Sequence, residues 1–145
     1  MSGNESAALI YGIGADVVDI RRIEDALARF GRRFAERVLG PEELARYDER
    51  RARVERRGLA FLATRFAAKE ALSKALGLGM RQPMSWRAAE IVNAPSGQPR
   101  IVTHGALATF VTARRLRLHI SISDERDIAF AYAIAEVSAV SDMEN

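Results

Sequence analysis

Residues 128–137 read IAFAYAIAEV, and this alternation constrains the fold more than any other stretch. On an extended chain Ile128, Phe130, Tyr132 and Ile134 fall on one face and alanines on the other. An alanine face admits a helix or a second sheet at short range. The preceding segment LRLHISIS (116–123) also alternates, with Leu116, Leu118, Ile120 and Ile122 set against Arg117, His119, Ser121 and Ser123. DERD (124–127) reads as the turn joining the two strands. A third alternating run, IYGIGADVVDI (10–20), sets Ile13, Ala15 and Val17 against Gly12, Gly14, Asp16 and Val18.

Helical signals lie between these strands. Asp19 is a helix cap, followed by apolar positions Ile20, Ile23, Leu27 and Phe30, with Gly31 as the stop. Gly-Pro-Glu-Glu at 40–43 opens a second helix, since proline suits the first helical position and acids the first turn. The charged stretch that follows predicts a mobile loop over 50–57. A longer helix is expected from about Gly58 to Leu76, ended by Gly77 and Gly79. Residues 85–103 read as strand, turn, strand around Pro95, Ser96, Gly97 and Pro99, and a short helix follows from Gly105 to about Arg115. Helices grouped between hairpins predict an α+β fold with a mostly antiparallel sheet. The expected layout is an arm at 1–8, one domain at 9–138 and a frayed tail at 139–145.

The chain has 145 residues and is 48% hydrophobic, enough for one domain with a real core. It has no cysteine, which excludes disulfides and thiolate metal sites and fits a reducing, cytoplasmic setting. MSGNESAA lacks the features of a signal peptide, and no apolar run approaches the roughly 18–20 residues of a membrane span. The net charge is only +3, but arginines crowd the first half, a field that attracts polyanions or an acidic protein.

Two places carry chemistry. In RFAAKEALSKALG (65–77), Glu70 and Lys74 share one helix face, and Arg65 and Lys69 form a second pair. Spacing alone reads Glu70–Lys74 as a surface ion pair, but the alanines beside them leave room for a ligand or another chain. Asp16 stands inside an apolar strand and needs a cation, a metal or water as partner. Asp16 with Glu70 suits Mg²⁺, which commonly takes one or two carboxylates. The GIG of 12–14 is not a dinucleotide fingerprint, because the third glycine is missing.

Four stretches together resemble the holo-[acyl-carrier-protein] synthases: GIGADVVDIRRIE (12–24), RFAAKEALSKALG, WRAAEIVNAPSGQPRI (86–101) and HISISDERDIAFAYAI (119–134). The length fits the short, single-lobe class of the 4′-phosphopantetheinyl transferase superfamily. The resemblance implies that fold, and transfer of phosphopantetheine from coenzyme A to a serine of apo-acyl carrier protein, a reaction of fatty acid biosynthesis. It also implies Mg²⁺ and trimers with interfacial active sites. Asp16 and Glu70 are then metal ligands, and Glu70, Lys74 and His119 the catalytic candidates. Arg65, Lys74, Gly77, Gly97, Pro99 and His119 are the coenzyme A candidates, while Arg21, Arg22 and Arg29 are those for docking the acidic carrier. Many members carry His where this chain has Asp124, so Asp124 is assigned no catalytic role. The serine proton goes to a metal-bound water or to Glu70.

Two other classes compete. A nucleic-acid-binding module is favoured by the arginines, but aromatics are only 7% and none is interleaved with the basic run. A metal-dependent phosphohydrolase would use the same carboxylates with water as nucleophile. The expected partners therefore include neither nucleic acid nor membrane.

Overall fold

The computed structural model describes residues 9–138. The expected arm and tail lie outside the described residues. The chain runs β1 (Leu9–Asp19), α1 (Ile20–Phe30), α2 (Arg32–Val38), α3 (Pro41–Arg53), α4 (Glu55–Leu76), β2 (Ala89–Asn93), β3 (Pro99–Thr103), α5 (Gly105–Ala113), β4 (Leu116–Asp124) and β5 (Ile128–Val137). β5 is central in a three-stranded sheet ordered β1–β5–β4, and β2–β3 is a separate hairpin. All three strand pairings are antiparallel. The α+β expectation holds.

The alanine face of β5 lies against α4. Ala129, Ala131, Ala133 and Ala135 are fully buried, as are Ala63, Ala67, Ala68 and Ala71 of the helix. The contact is closest at β1. A Cβ on Gly12 would come within 2.0 Å of the Ala75 carbonyl oxygen, and one on Gly14 within 2.1 Å of the Ala71 carbonyl oxygen. Small residues on both sides let backbone meet backbone, which removes water from many apolar atoms at once. This corrects one expectation: the alanines of α4 pack beneath the sheet and leave no open space beside the charges.

The opposite face of the sheet remains apolar. Ile13 and Val17 are 57% and 56% exposed, and Ile128, Phe130 and Tyr132 are also open. The register sets Ile13 opposite Ile134, Ala15 opposite Tyr132 and Val17 opposite Phe130, so these side chains form one continuous patch.

Asp19 caps α1, accepting from the Arg21 backbone N–H at 2.9 Å, and the helix buries Ile20 and Ile23. Two local expectations change. The stretch 50–57 is not a loop: α3 continues to Arg53, only Val54 is extended, and α4 starts at Glu55. Residues 85–88 are turn and not strand, because the hairpin proper begins at Ala89.

Candidate active site

Asp16 projects from the inner face of β1 onto α4. Lys74 Nζ donates to the Ala15 carbonyl at 2.9 Å and to Asp16 Oδ1 at 3.2 Å. Asp16 Oδ2 is buried and has no hydrogen-bond partner among the described residues. An ionised oxygen in that condition is costly unless a cation completes it. Glu70 stands one turn before Lys74 on the same helix. Burial pushes its carboxyl up from the ordinary 4.5, and the Asp16 charge pushes the same way, while Lys74 and Arg22 oppose both. The three predicted groups therefore meet: two carboxylates that repel, one lysine bonded to Asp16 and felt by Glu70, and one unsatisfied oxygen. Among the described residues no group of three or more His, Cys, Asp or Glu forms a metal cage. Two carboxylates suit Mg²⁺, which keeps waters and phosphate oxygens in its remaining positions.

Arg65 lies five residues before Glu70, about 140° around the helix, and so faces elsewhere. It is 4% exposed. It donates to the Ile91 carbonyl at 3.2 Å and to Asn93 Oδ1 at 3.3 Å, and its guanidinium sits 3.9 Å from the Phe61 ring centroid. Burial brings its pKa down to about 10. Arg50 lies over the same ring at 5.0 Å. Together with Arg53, Arg57, Gly97 and Pro99 these arginines line a cleft of about 680 Å³. This brings together predicted Arg65, Gly97 and Pro99, and adds Arg50, Arg53 and Arg57 from the stretch 50–57, for which the sequence left contact with the 3′-phosphate of coenzyme A and a solvated loop both open. Their signal was available: Arg50 and Arg53 are three apart, one helix face. Ser123 and Asp124 also line it.

Gly77 ends α4 in the left-handed region at φ 73°. His119 is not brought to the carboxylates. Its register partner Ile134 lies on the outer face of the sheet, whereas that of Asp16, Ala131, is buried under α4. His119 Nε2 is 2.9 Å from Glu136 Oε1, in a groove shared with Pro99 and Arg100.

Of the docking candidates, Arg21 is engaged by its own helix cap, with Nη2 2.8 Å from Asp19 Oδ2. Arg21 in turn pulls the Asp19 carboxyl down to about 2. Arg29 rims a pocket of about 640 Å³ with Arg33 and Arg37, floored by Phe34, Phe66 and Trp86. The Phe66 and Trp86 rings stack on each other at 4.7 Å. Sequence order hides this pocket, because its aromatic floor comes from three separate segments.

Residues 12–133 match the 4′-phosphopantetheinyl transferase superfamily. The chain is 60% identical over 130 residues to the holo-[acyl-carrier-protein] synthase of Cupriavidus taiwanensis, covering 90% of this chain and 93% of that protein. Among solved structures, the holo-[acyl-carrier-protein] synthase of Neisseria meningitidis superposes with a TM-score of 0.81 at 38% identity, covering 88% of this chain and 98% of that one. The Helicobacter pylori synthase, solved in complex with coenzyme A, gives 0.71 at 31% identity over 85% of this chain and 98% of its own. Two carboxylates facing a lysine on a strand–helix contact thus sit in a chain that belongs to the 4′-phosphopantetheinyl transferase superfamily, among the holo-[acyl-carrier-protein] synthases, and it is a transferase.

Proposed function

We propose that this chain transfers the 4′-phosphopantetheine of coenzyme A to a serine hydroxyl of apo-acyl carrier protein. The serine oxygen bonds to the phosphorus that carries pantetheine, the pyrophosphate P–O bond breaks, and adenosine 3′,5′-bisphosphate leaves with the electron pair. The serine proton passes to Glu70 or to a water beside it. The observation that carries the reading is the unpartnered Asp16 Oδ2 beside Glu70 and Lys74.

Asp16 and Glu70 would hold Mg²⁺. When bound, Mg²⁺ neutralises charge on the pyrophosphate. Lys74, tethered to Ala15 and Asp16, presents a cation to the leaving phosphate. The cleft of Arg50, Arg53, Arg57 and Arg65 takes the anionic nucleotide end, with Gly97 and Pro99 beside the base. The arginine-rimmed aromatic pocket takes the carrier: cations meet its acidic surface, and Phe34 and Phe66 meet an apolar side chain. Phosphoryl transfer asks chiefly for positioning and charge stabilisation, which this set supplies.

The open sheet face supports assembly into a homotrimer. A contiguous apolar patch of this kind is uncommon on a free surface. A neighbouring copy seated there would also bring His119 and Pro99 of one chain toward the carboxylates of another.

The test is the intact mass of apo-acyl carrier protein incubated with this protein, coenzyme A and Mg²⁺, with a chelator control. The expected result is a gain of one phosphopantetheine that the chelator abolishes. An unchanged carrier mass with folded enzyme would refute the reading, and coenzyme A cleavage without carrier would replace it with a hydrolase.

A further inference from the structure

α3 and β2, which both supply residues to the arginine cleft, are joined by two carboxylates that take no part in the mechanism above. Glu90 of β2 accepts from the backbone N–H groups of Glu42 and Glu43 at 2.9 and 3.1 Å, both through Oε1. Its Oε2 is 2.8 Å from His104 Nε2. Glu90 therefore caps α3 from another element, beside the helix's own Glu43, which accepts from the Gly40 N–H at 3.0 Å, while the cap residue Gly40 has no side chain to add. A Cβ at Gly40 would come within 2.4 Å of the Glu90 carboxyl carbon, so glycine makes way for the carboxylate. Glu43 returns the tie, accepting from the Ile91 N–H at 2.7 Å and from Lys69 Nζ at 2.6 Å. Arg65 holds the other side of the same residue, at the Ile91 carbonyl. Burial opposes the Glu90 charge, but the Glu43 amide, the His104 ring and the Glu42 amide outweigh it, and its pKa lies below the ordinary 4.5.

α3 carries Arg50 and Arg53 into the cleft, and β2–β3 carries Asn93, Gly97 and Pro99 to the facing wall. Nearer the cleft, Arg65 of α4 also reaches Asn93 Oδ1 of β2 at 3.3 Å, whereas the bonds at Glu90 and Glu43 are the ones that join α3 to β2 directly. We infer that Glu90, steadied by His104, is a positioning residue: it pins α3 to β2 and so sets where Arg50 and Arg53 stand relative to the β2–β3 turn. Its role rests on the reading that this cleft holds the nucleotide end of coenzyme A. Losing it loosens nucleotide binding more than it slows transfer.

The test is steady-state kinetics with saturating apo-carrier and varied coenzyme A, together with Tm, for five variants. Glu90→Ala is expected to raise KM for coenzyme A roughly tenfold with kcat within about twofold, the split that lost ground-state positioning produces. Glu90→Gln keeps an oxygen for both amides and recovers most of that loss. His104→Ala, at a half-exposed ring, folds in any case and raises KM several-fold. Adding Gly40→Ser to Glu90→Ala supplies a cap from within α3, where the removed carboxylate leaves room. It is expected to restore Tm while KM stays high. If KM returns together with Tm, Glu90 is only a helix cap and the inference falls. Unchanged KM in both Glu90→Ala and His104→Ala also overturns it. Arg53→Ala separates the two levels. An unchanged KM there removes the cleft reading and the inference with it, whereas a raised KM beside an unaffected Glu90→Ala removes the inference alone.

Discussion

Glu70 is held in a state that opposes its own charge. Burial and Asp16 raise its pKa above the ordinary 4.5, so the folded chain binds that proton more tightly than the unfolded chain does. The resulting stability is fully present below pH 4.5 and is lost as pH rises through the folded value. At neutral pH the ionised carboxylate works against folding. Glu70→Gln is therefore expected to abolish Mg²⁺-dependent transfer and yet raise the Tm of the ligand-free protein slightly, by about 1–2 °C after solvent screening. The gain should shrink toward pH 4 in a thermal series, and a Tm lowered at pH 7 would contradict the assigned cause. Arg22 lies within electrostatic reach of Glu70. Arg22→Glu should slow carrier association and flatten its salt dependence, measured by stopped flow, while coenzyme A affinity holds. A fall in coenzyme A affinity with carrier binding intact would move Arg22 out of the docking surface.

At the scale of elements, one helix serves two sites because of what it packs against. α4 turns its alanines to the sheet, Glu70 and Lys74 to β1, and Arg65 and Lys69 toward α3 and the β2 hairpin. Gly14→Ala would drive a methyl group to 2.1 Å from the Ala71 carbonyl oxygen and 2.8 Å from Lys74 Cβ. The helix must then retreat, at a cost of about 1–3 kcal/mol in urea unfolding, and the Lys74–Asp16 contact should loosen, lowering kcat. A variant of normal stability would mean that the contact is less tight than described. Lys69 is fully buried, bonded to Glu43, the Val38 carbonyl and the Trp86 carbonyl. Burial pushes the Glu43 carboxyl up and the Lys69 ammonium down, and their mutual contact opposes both shifts. Lys69→Met leaves the Glu43 charge uncompensated and should cost about 3–5 kcal/mol, far above a surface pair. A cost under 1 kcal/mol would mean that the Glu43 charge is not left uncompensated.

At the scale of the molecule, the sheet is covered on one face only. Ile13, 57% exposed, stands near the middle of the bare face, opposite Ile134. On a monomer Ile13→Glu would be a surface substitution worth about 0.5 kcal/mol or less. On a trimer it buries a charge in apolar surroundings. Sedimentation velocity should show the assembly shifted to monomer, with transfer falling in parallel. A sedimentation coefficient equal to that of the unmutated protein would leave the face without its proposed occupant.

Much of this was legible in order of residues alone. Alternation at 10–20, 116–123 and 128–137 determined three strands and their faces, because a pleat has period two and nothing distant changes that. Asp19, Gly31 and Gly77 marked helix ends by local backbone chemistry. Asp16, Glu70 and Lys74 stood out as charges in apolar settings, and the tertiary structure joined them. Other features needed the third dimension. The charge of 50–57 reads locally as a loop, but α3 and α4 pack as a pair and hold that stretch helical to Arg53 and again from Glu55. The alanines read as free space until a sheet closes on them. Glu43, Glu90 and His104 are ordinary residues in sequence, 47 positions apart in the case of Glu43 and Glu90, and only packing brings one carboxylate to the other's backbone amide. Periodicity belongs to the chain, whereas the partners of a buried charge belong to the fold, because desolvation is settled by whatever comes to surround it.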